Sequence, residues 1–206
     1  MNILVTQFYK PENEDRFNEL KYCLRRNLQN YEIDCVALLV HSSDVQYIKP
    51  HPKIKLFETD SRPTYKDHFE IGKSFITDGL IIITNSDIFI TEWVIKLVSE
   101  NLDESTVYAL SRWDVKQDMT AVHYDTWDSQ DTWIFKNTIK PGSYEIIVGI
   151  PGCDNRIAYE LLDAGYNVEN PSKSIQTYHY HISEYRSYKE IDRLEGEYHC
   201  ITPTKL

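Results

Sequence analysis

The chain has 206 residues, and its 22 basic and 32 acidic side chains give a formal net charge of −10. This length suits one domain with a substantial core, and a hydrophobic content of 41% excludes a disordered chain. The acidic charge disfavours binding along a nucleic-acid backbone, so we expect no nucleic-acid partner; a local basic pocket for one nucleotide is compatible with it.

The first half of the chain alternates apolar strand-like runs with amphipathic helical patterns. This alternation predicts βαβ units and a parallel sheet. The predicted strands lie at residues 3–9, 35–40, 54–57 and 80–84. The predicted helices lie at 13–29, within 67–77, and from about residue 91 onwards.

The second half is less regular. It contains predicted strands at 107–111 and 132–135, a helix at 155–164 that Gly165 ends, and a late strand or extended segment at 178–182. The pattern predicts one α/β domain that joins a Rossmann-like nucleotide-binding half, residues 1–100, to a mixed-sheet half, residues 101–206.

The apolar runs at 80–83 and 88–90 are far shorter than the roughly 20 residues of a membrane span, so we expect none. The N-terminus lacks the basic start and long apolar core of a signal peptide. The four cysteines form no Cys-x-x-Cys pair and resemble neither a zinc ribbon nor a disulfide framework. These features predict a cytoplasmic protein with reduced thiols.

The strand at 80–84 runs directly into the polar turn Asn85-Ser86-Asp87. Ligands of open α/β sheets bind outside the carboxyl ends of the strands. Asp87 could hold a divalent cation there, and Asn85 could add a neutral oxygen or bond a ribose hydroxyl, because hard cations prefer oxygen ligands. An ordinary polar turn is the alternative.

Near the C-terminus, Tyr178-His179-Tyr180-His181 alternates aromatic rings with imidazoles. In an extended segment the two histidines point to one face, because strand side chains repeat every two residues. Imidazole suits transition-type metals, including Mn²⁺ with mixed nitrogen and oxygen ligands. Ordinary surface or core histidines are the alternative.

These segments, in this order, resemble nucleotide-sugar glycosyltransferases of the GT-A fold. In that family the first strand and its loop hold the nucleotide base, a central strand ends in a metal-binding Asp-x-Asp, a later acidic residue is the base, and a late histidine often completes the metal site. The corresponding segments here are residues 3–9, Asn85-Ser86-Asp87, 149–155, and His179 or His181.

Shorter pieces resemble a bacterial and viral subgroup, including the small glycosyltransferase modules of large algal DNA viruses. They are Asn-Ser-Asp-Ile at 85–88, Ser-Arg-Trp-Asp at 111–114, Asp-Ser-Gln-Asp-Thr-Trp at 128–133, Gly-Cys-Asp-Asn at 152–155 and Asn-Pro-Ser at 170–172.

The resemblance implies a single-domain GT-A fold whose second half binds the acceptor and carries the catalytic residues. It implies transfer of a sugar from a nucleotide-diphosphate sugar, chiefly a UDP-sugar, to a glycan acceptor, with Mn²⁺ or Mg²⁺ as cofactor. The implied metal ligands are Asp87, His179 and His181. Asp154 is the implied base, with helix N-capping as its alternative role, and an available base favours inversion.

Asp131 is a second catalytic candidate, followed by Asp128. Asn85 departs from the family pattern, because it replaces the first aspartate of Asp-x-Asp and removes one negative charge. Weaker metal affinity is the expected consequence. The candidate nucleotide-binding residues are Thr6, Gln7, Phe8, Tyr9, Arg62, Asn85 and Ser86.

Several of these candidates have an ordinary structural alternative. Phe8 or Tyr9 could stack on the base or belong to the core, and Arg62 could be a surface arginine. Arg186 could hold the diphosphate or be solvated. Asp67 and Lys73 are weaker candidates. Trp113, Trp127 and Trp133 could stack on sugars, although core burial is the commoner role of tryptophan.

Two other classes stay open. A sugar nucleotidyltransferase usually carries a glycine-rich first loop with basic residues, which residues 6–11 lack, and a non-catalytic carbohydrate-binding module would use the tryptophans alone. The chain has no Gly-x-Gly-x-x-Gly, no Walker Gly-Lys-Ser/Thr and no Gly-x-Ser-x-Gly. This counts against dinucleotide dehydrogenases, P-loop kinases and α/β-hydrolases.

Overall fold

The computed structural model of the protein describes residues 1–75, 78–183, 185 and 193–206. The strands are β1 Ile3–Phe8, β2 Cys35–His41, β3 Ile54–Thr59, β4 Leu80–Thr84, β5 Ile88–Ile90, β6 Thr106–Leu110, β7 Trp113–Val115, β8 Ala121–His123, β9 Thr132–Lys136, β10 Asn167–Glu169 and β11 Thr177–His179. The α-helices are α1 Glu14–Gln29, α2 Tyr65–Lys73, α3 Glu92–Asn101 and α4 Cys153–Asp163, and a 3₁₀ helix spans Ser42–Tyr47.

The larger sheet has the strand order β10-β6-β9-β4-β1-β2-β3. Strands β3, β2, β1 and β4 are parallel, which confirms the βαβ prediction for the first half. Strand β9 runs antiparallel to both β4 and β6, so the second half is mixed, as predicted. Because β9 lies between β4 and β6, the two halves share one sheet.

A second sheet, with the order β5-β11-β7-β8, was not predicted as a sheet. Each of its strands has three residues, too few to give a periodic signal. The expected strand at 178–182 is shorter, because pairing with β5 and β7 ends at His179. In this pairing His179 faces Ile88 on one side and Asp114 on the other, so the small sheet places the late histidine beside the turn that follows β4.

Both faces of the large sheet are buried, which explains why its central strands are continuous apolar runs. Ile81 and Ile83 of β4 face one core cluster, with Tyr65 and Phe69 of α2. Ile82 faces the other, which includes side chains of α1 and α3. The sheet is therefore rigid in its centre, and its ligand-binding capacity lies at the strand ends.

Side-chain capping explains where α1 and α2 begin. The side chain of Asn13 accepts from the Arg16 amide, so α1 starts one residue later than predicted. Thr64 and Asp67 form a capping box, so α2 starts at Tyr65, before the predicted range. The end of that range, residues 76 and 77, lies outside the described residues. Gly152, with φ of 84°, precedes α4. Among the described helices, none is long and apolar enough to cross a membrane.

Candidate active site

A cleft of about 880 Å³ opens at the carboxyl ends of β1, β2, β3 and β4. Its walls come from both halves of the chain. The polar side chains among its lining residues include Gln7, Tyr9, Arg16, Arg62, Asn85, Ser86, Asp87, Arg112, Asp131, Asp154, His179 and His181. This is the edge at which open α/β sheets bind their ligands.

Asp87 is buried at the base of the cleft. Its Oδ2 accepts hydrogen bonds from Nη2 of Arg16 at 2.5 Å and from Nε2 of His179 at 3.1 Å. Burial alone would raise the pKa of the Asp87 carboxyl, but the positive charges of His179 and Arg16 hold it well below its usual range. Asp87 is therefore ionised throughout the neutral range.

Asp87, His179 and His181 each offer one ligand atom, and these atoms lie within 4.8 Å of one another. The Tyr185 carbonyl lies 2.8 Å from Nε2 of His181 and orients that ring. Burial, followed by the charge of Arg16, lowers the pKa of His181 and favours its neutral, metal-binding form. One carboxylate and two imidazoles fit a divalent ion of the Mn²⁺ type.

His179 has a second partner that sequence reasoning left without a role. Its Nδ1 lies 2.8 Å from Oδ1 of Asp114, on the neighbouring strand β7. Although burial alone would lower the pKa of His179, the carboxylates of Asp87 and Asp114 raise it to about 9. A carboxylate on the far nitrogen of a histidine fixes the ring and directs the other nitrogen towards a metal.

A chain of ion pairs connects this cluster to Asp131. Arg112 donates from Nε to Asp114 at 2.9 Å and from Nη1 to Oδ2 of Asp131 at 3.1 Å. Asn85 donates from Nδ2 to Oδ1 of Asp131 at 2.9 Å. Both oxygens of Asp131 are thus engaged, so its carboxylate is held in one orientation. Sequence reasoning missed the roles of Arg112 and Asp114; their signal was the Ser-Arg-Trp-Asp piece after β6.

Asp154 lies in the first turn of α4, and residues 149–154 line the same cleft. Its Oδ1 accepts from the Cys153 thiol at 3.2 Å and lies 3.4 Å from the Tyr65 hydroxyl. Burial, followed by the charge of Asp131, raises the pKa of Asp154 to about 7. The alternative that Asp154 is the N-cap is wrong, because the N-cap position belongs to Gly152.

The predicted nucleotide-binding residues divide into two groups. Gln7, Tyr9 and Arg62 line the cleft together with the turn at 85–87. Phe8 also reaches it, but its ring packs against Phe17, with ring centroids 5.8 Å apart. Thr6 is buried within β1 and is not among the residues that line the cleft.

Arg62 joins the two halves across the cleft. Its Nε donates to the Val148 carbonyl at 3.1 Å, and its Nη2 donates to the Gly149 carbonyl at 2.8 Å. A backbone hydrogen bond lies next to these contacts, because Val148 donates its amide to the Pro63 carbonyl at 3.2 Å. Arg62 is therefore a structural link as well as a cleft residue.

The remaining candidates lie elsewhere. Trp133 is fully buried and packs edge-on against Tyr65, and the Trp113 indole donates to the Ser172 carbonyl, whereas Trp127 is 55% exposed. Asp67 caps α2 and Lys73 ends it. Asp128 accepts from the Thr126 hydroxyl. Arg186 lies outside the described residues.

No protein-family model matches the chain, and no curated protein matches it in sequence. Solved structures do match. Residues 1–349 of S. aureus TarS, in complex with UDP-GlcNAc, align with a TM-score of 0.58 and 11% identity over 95% of this chain and 61% of that one. The mannosyltransferase PcManGT from Pyrobaculum calidifontis, in complex with GDP-Man and Mn²⁺, aligns with a TM-score of 0.52 and 11% identity over 82% of this chain and 54% of that one.

The chain therefore spans less than two thirds of the length of these two structures. At such low identity the likeness establishes the fold alone. The protein has the α/β fold of GT-A-type nucleotide-sugar glycosyltransferases, which confirms the fold prediction. The likeness to viral modules stays a prediction.

Proposed function

We propose that the protein is a metal-dependent glycosyltransferase that moves a sugar from a nucleotide-diphosphate sugar, chiefly a UDP-sugar, to a glycan acceptor with inversion. The observation that supports this most is the cluster of Asp87, His179 and His181, whose ligand atoms lie within 4.8 Å in the cleft that also contains Asp154. The fold independently favours a nucleotide-sugar substrate.

Asp87, His179 and His181 would hold Mn²⁺ or Mg²⁺. When bound, such an ion supplies positive charge that stabilises a leaving diphosphate. The chain's own contribution is orientation. Asp114 fixes the His179 ring at 2.8 Å, and the Tyr185 carbonyl fixes the His181 ring at 2.8 Å. His179 would hold an ion through an unprotonated Nε2, and its remaining proton would then lie on Nδ1, towards Asp114.

In this proposal Asp154 takes the proton of the attacking acceptor hydroxyl. Its pKa of about 7 suits a base that works near neutral pH. Asp131, whose carboxylate is held by Asn85 and Arg112, binds a sugar hydroxyl. Gln7, Tyr9 and Arg62 form the slot for the nucleoside.

The free state of all four cysteines supports a reducing, cytoplasmic location.

Thermal unfolding with UDP or GDP, with and without Mn²⁺, tests the proposal. We expect stabilisation that requires the cation; at a ligand concentration of about 100 times Kd it amounts to about 2.7 kcal/mol, or a rise in Tm of roughly 5–10 °C for a chain of this size. Asp87→Ala should remove the Mn²⁺-dependent part. Asp163→Ala, an exposed aspartate at the end of α4, is the matched control.

Two outcomes contradict the proposal. Stabilisation by free glycan with no effect of either nucleotide indicates a carbohydrate-binding module. Full Mn²⁺-dependent stabilisation in Asp87→Ala rejects the metal ligands.

A further inference from the structure

Arg16 was not a candidate on sequence grounds, yet its side chain lines the cleft and contacts Asp87. It lies in the first turn of α1, its side chain is only 8% exposed, and it lines the cleft. Nη2 contacts Oδ2 of Asp87 at 2.5 Å, and Nη1 contacts Oε2 of Glu19 at 3.1 Å. A buried guanidinium thus lies directly on the carboxylate that would hold the metal.

Glu19, which holds Nη1 of Arg16, is itself fixed by further hydrogen bonds. The Glu19 carboxylate also accepts from the Ser183 amide at 2.6 Å and from the Ser183 hydroxyl at 3.1 Å. Glu19 is itself 5% exposed, so it keeps its place while Nη1 stays bound to it. The other end of the guanidinium, Nη2, is the part that faces Asp87.

Oδ2 of Asp87 accepts from both Arg16 and His179. A divalent ion bound to this carboxylate would place two further positive charges beside the Arg16 guanidinium, and like charges in contact repel. A divalent ion on Asp87 therefore weakens the Arg16–Asp87 contact and leaves Nη2 in need of another anion. A diphosphate supplies one, and the planar guanidinium fork matches phosphate oxygens in pairs.

We propose that Arg16 is a diphosphate-binding residue that exchanges Asp87 for the donor's phosphates when the divalent ion binds. Glu19 retains Nη1 during this exchange. The inference rests on the proposed function, because it takes the metal and the nucleotide diphosphate from it. It adds that the ion and Arg16 compete for Asp87, whereas Arg16 and the ion cooperate on the diphosphate.

Two binding measurements on purified protein test this: Mn²⁺ affinity from the electron paramagnetic resonance signal of free Mn²⁺, and UDP affinity by calorimetry at saturating Mn²⁺. In Arg16→Gln we expect Mn²⁺ to bind about tenfold more tightly, because a competing cation is gone. UDP should bind about tenfold more weakly, because a charge-assisted hydrogen bond is lost. Arg25→Gln, an exposed arginine on the same helix, is the control and should change neither affinity.

The opposite signs separate this inference from a purely structural role. If Arg16 only positions Asp87, Arg16→Gln binds Mn²⁺ more weakly, and the inference is overturned. Unchanged UDP affinity in Arg16→Gln overturns it as well. A wild-type protein that binds neither Mn²⁺ nor UDP rejects the proposed function together with the inference, whereas binding of both with Arg16→Gln equal to the control rejects the inference alone.

Arg16→Lys covers the case in which Arg16→Gln does not fold, as judged by circular dichroism. Lysine keeps the charge on Asp87 but lacks the planar fork. Mn²⁺ affinity should then stay at the wild-type value while UDP affinity falls by about threefold or more. Wild-type UDP affinity in Arg16→Lys, with Arg16→Gln unfolded, overturns the inference.

Discussion

Two carboxylates in one cleft occupy opposite electrostatic surroundings. Asp87 lies against His179 and Arg16, which hold its pKa well below the usual range despite its burial. For Asp154, burial and the charge of Asp131 raise the pKa to about 7. When their surroundings shift the pKa values of two nearby acidic groups in opposite directions, the two groups commonly have distinct chemical roles. Here the division supports Asp87 as the metal-binding carboxylate and Asp154 as the base.

Asp154→Asn should bind UDP and Mn²⁺ as the wild type does and transfer sugar about 10²–10⁴-fold more slowly, because only the proton acceptor is lost. In the wild type the rate should rise with pH and level off above about 7, where Asp154 is ionised. The measurement is kcat/KM between pH 5 and 9. Full activity in the variant rejects the base assignment.

The same pKa determines a stability effect that does not depend on activity. A carboxyl whose folded pKa is raised from 3.8 to about 7 destabilises the folded state increasingly as pH rises through that interval, and the full penalty applies above pH 7. Asp154→Asn removes the penalty. Its Tm should therefore exceed that of the wild type at pH 8, and the difference should shrink towards pH 5; a difference independent of pH contradicts the raised pKa.

At the scale of elements, helix α1 determines the position of the turn that carries Asp87. The Asn27 side chain forms hydrogen bonds with the backbone of β5 along the edge that no described strand covers. Its Nδ2 donates to the Ile88 carbonyl at 2.9 Å, and its Oδ1 accepts from the Ile90 amide at 3.0 Å. Asn30 donates to the Ile90 carbonyl at 2.9 Å. The other edge of β5 pairs with β11, so this short strand is held between a helix and a strand.

Asn27→Ala should lower the free energy of unfolding by about 2–4 kcal/mol, because it leaves one buried amide and one buried carbonyl of β5 without their partner. Urea unfolding measures the change. Asn18→Ala, an exposed asparagine on the same helix, should stay within about 0.5 kcal/mol of the wild type. Equal effects of the two variants would show that the side-chain bridge contributes little.

At the scale of the whole molecule, the two halves cannot be separated. Strand β9 of the second half pairs with β4 over five residue pairs and with β6 on its other side. Arg62 and the Thr64–Ile147 bridge add further contacts between the halves. A division at residue 100 would expose one whole edge of β4.

The shared sheet predicts a single cooperative unfolding transition. Far-UV circular dichroism reports the whole backbone, while tryptophan fluorescence includes the signal of Trp133 in β9, which is fully buried and becomes exposed on unfolding. Their urea midpoints should coincide, and a fragment of residues 1–100 should show no cooperative transition. Two separate midpoints would mean that the halves are independent folding units.

The sequence predicted the large parallel elements because their signals are local. Strand β4 occupies the predicted residues, 80–84, since a strand buried on both faces is a continuous apolar run. Asp87 and the two histidines could be named as candidates, because one follows the strongest strand and the others alternate in an extended segment. Their ligand atoms lie within 4.8 Å of one another, and their role as metal ligands stays a prediction. The small sheet escaped prediction, because three-residue strands carry no period.

Sequence patterns could not predict the roles of three charged residues, Arg16, Arg112 and Asp114, because their contacts join distant parts of the chain. Arg16 meets Asp87 across 71 positions of sequence, and Asp114 meets His179 across 65. Local patterns define the apolar elements, the turn at the end of β4 and the general class of fold, because secondary structure follows from spacing along the chain. Which charged groups surround Asp87, and which carboxylate keeps its proton to about pH 7, depends on loops that meet only when the sheet brings distant strand ends to one edge.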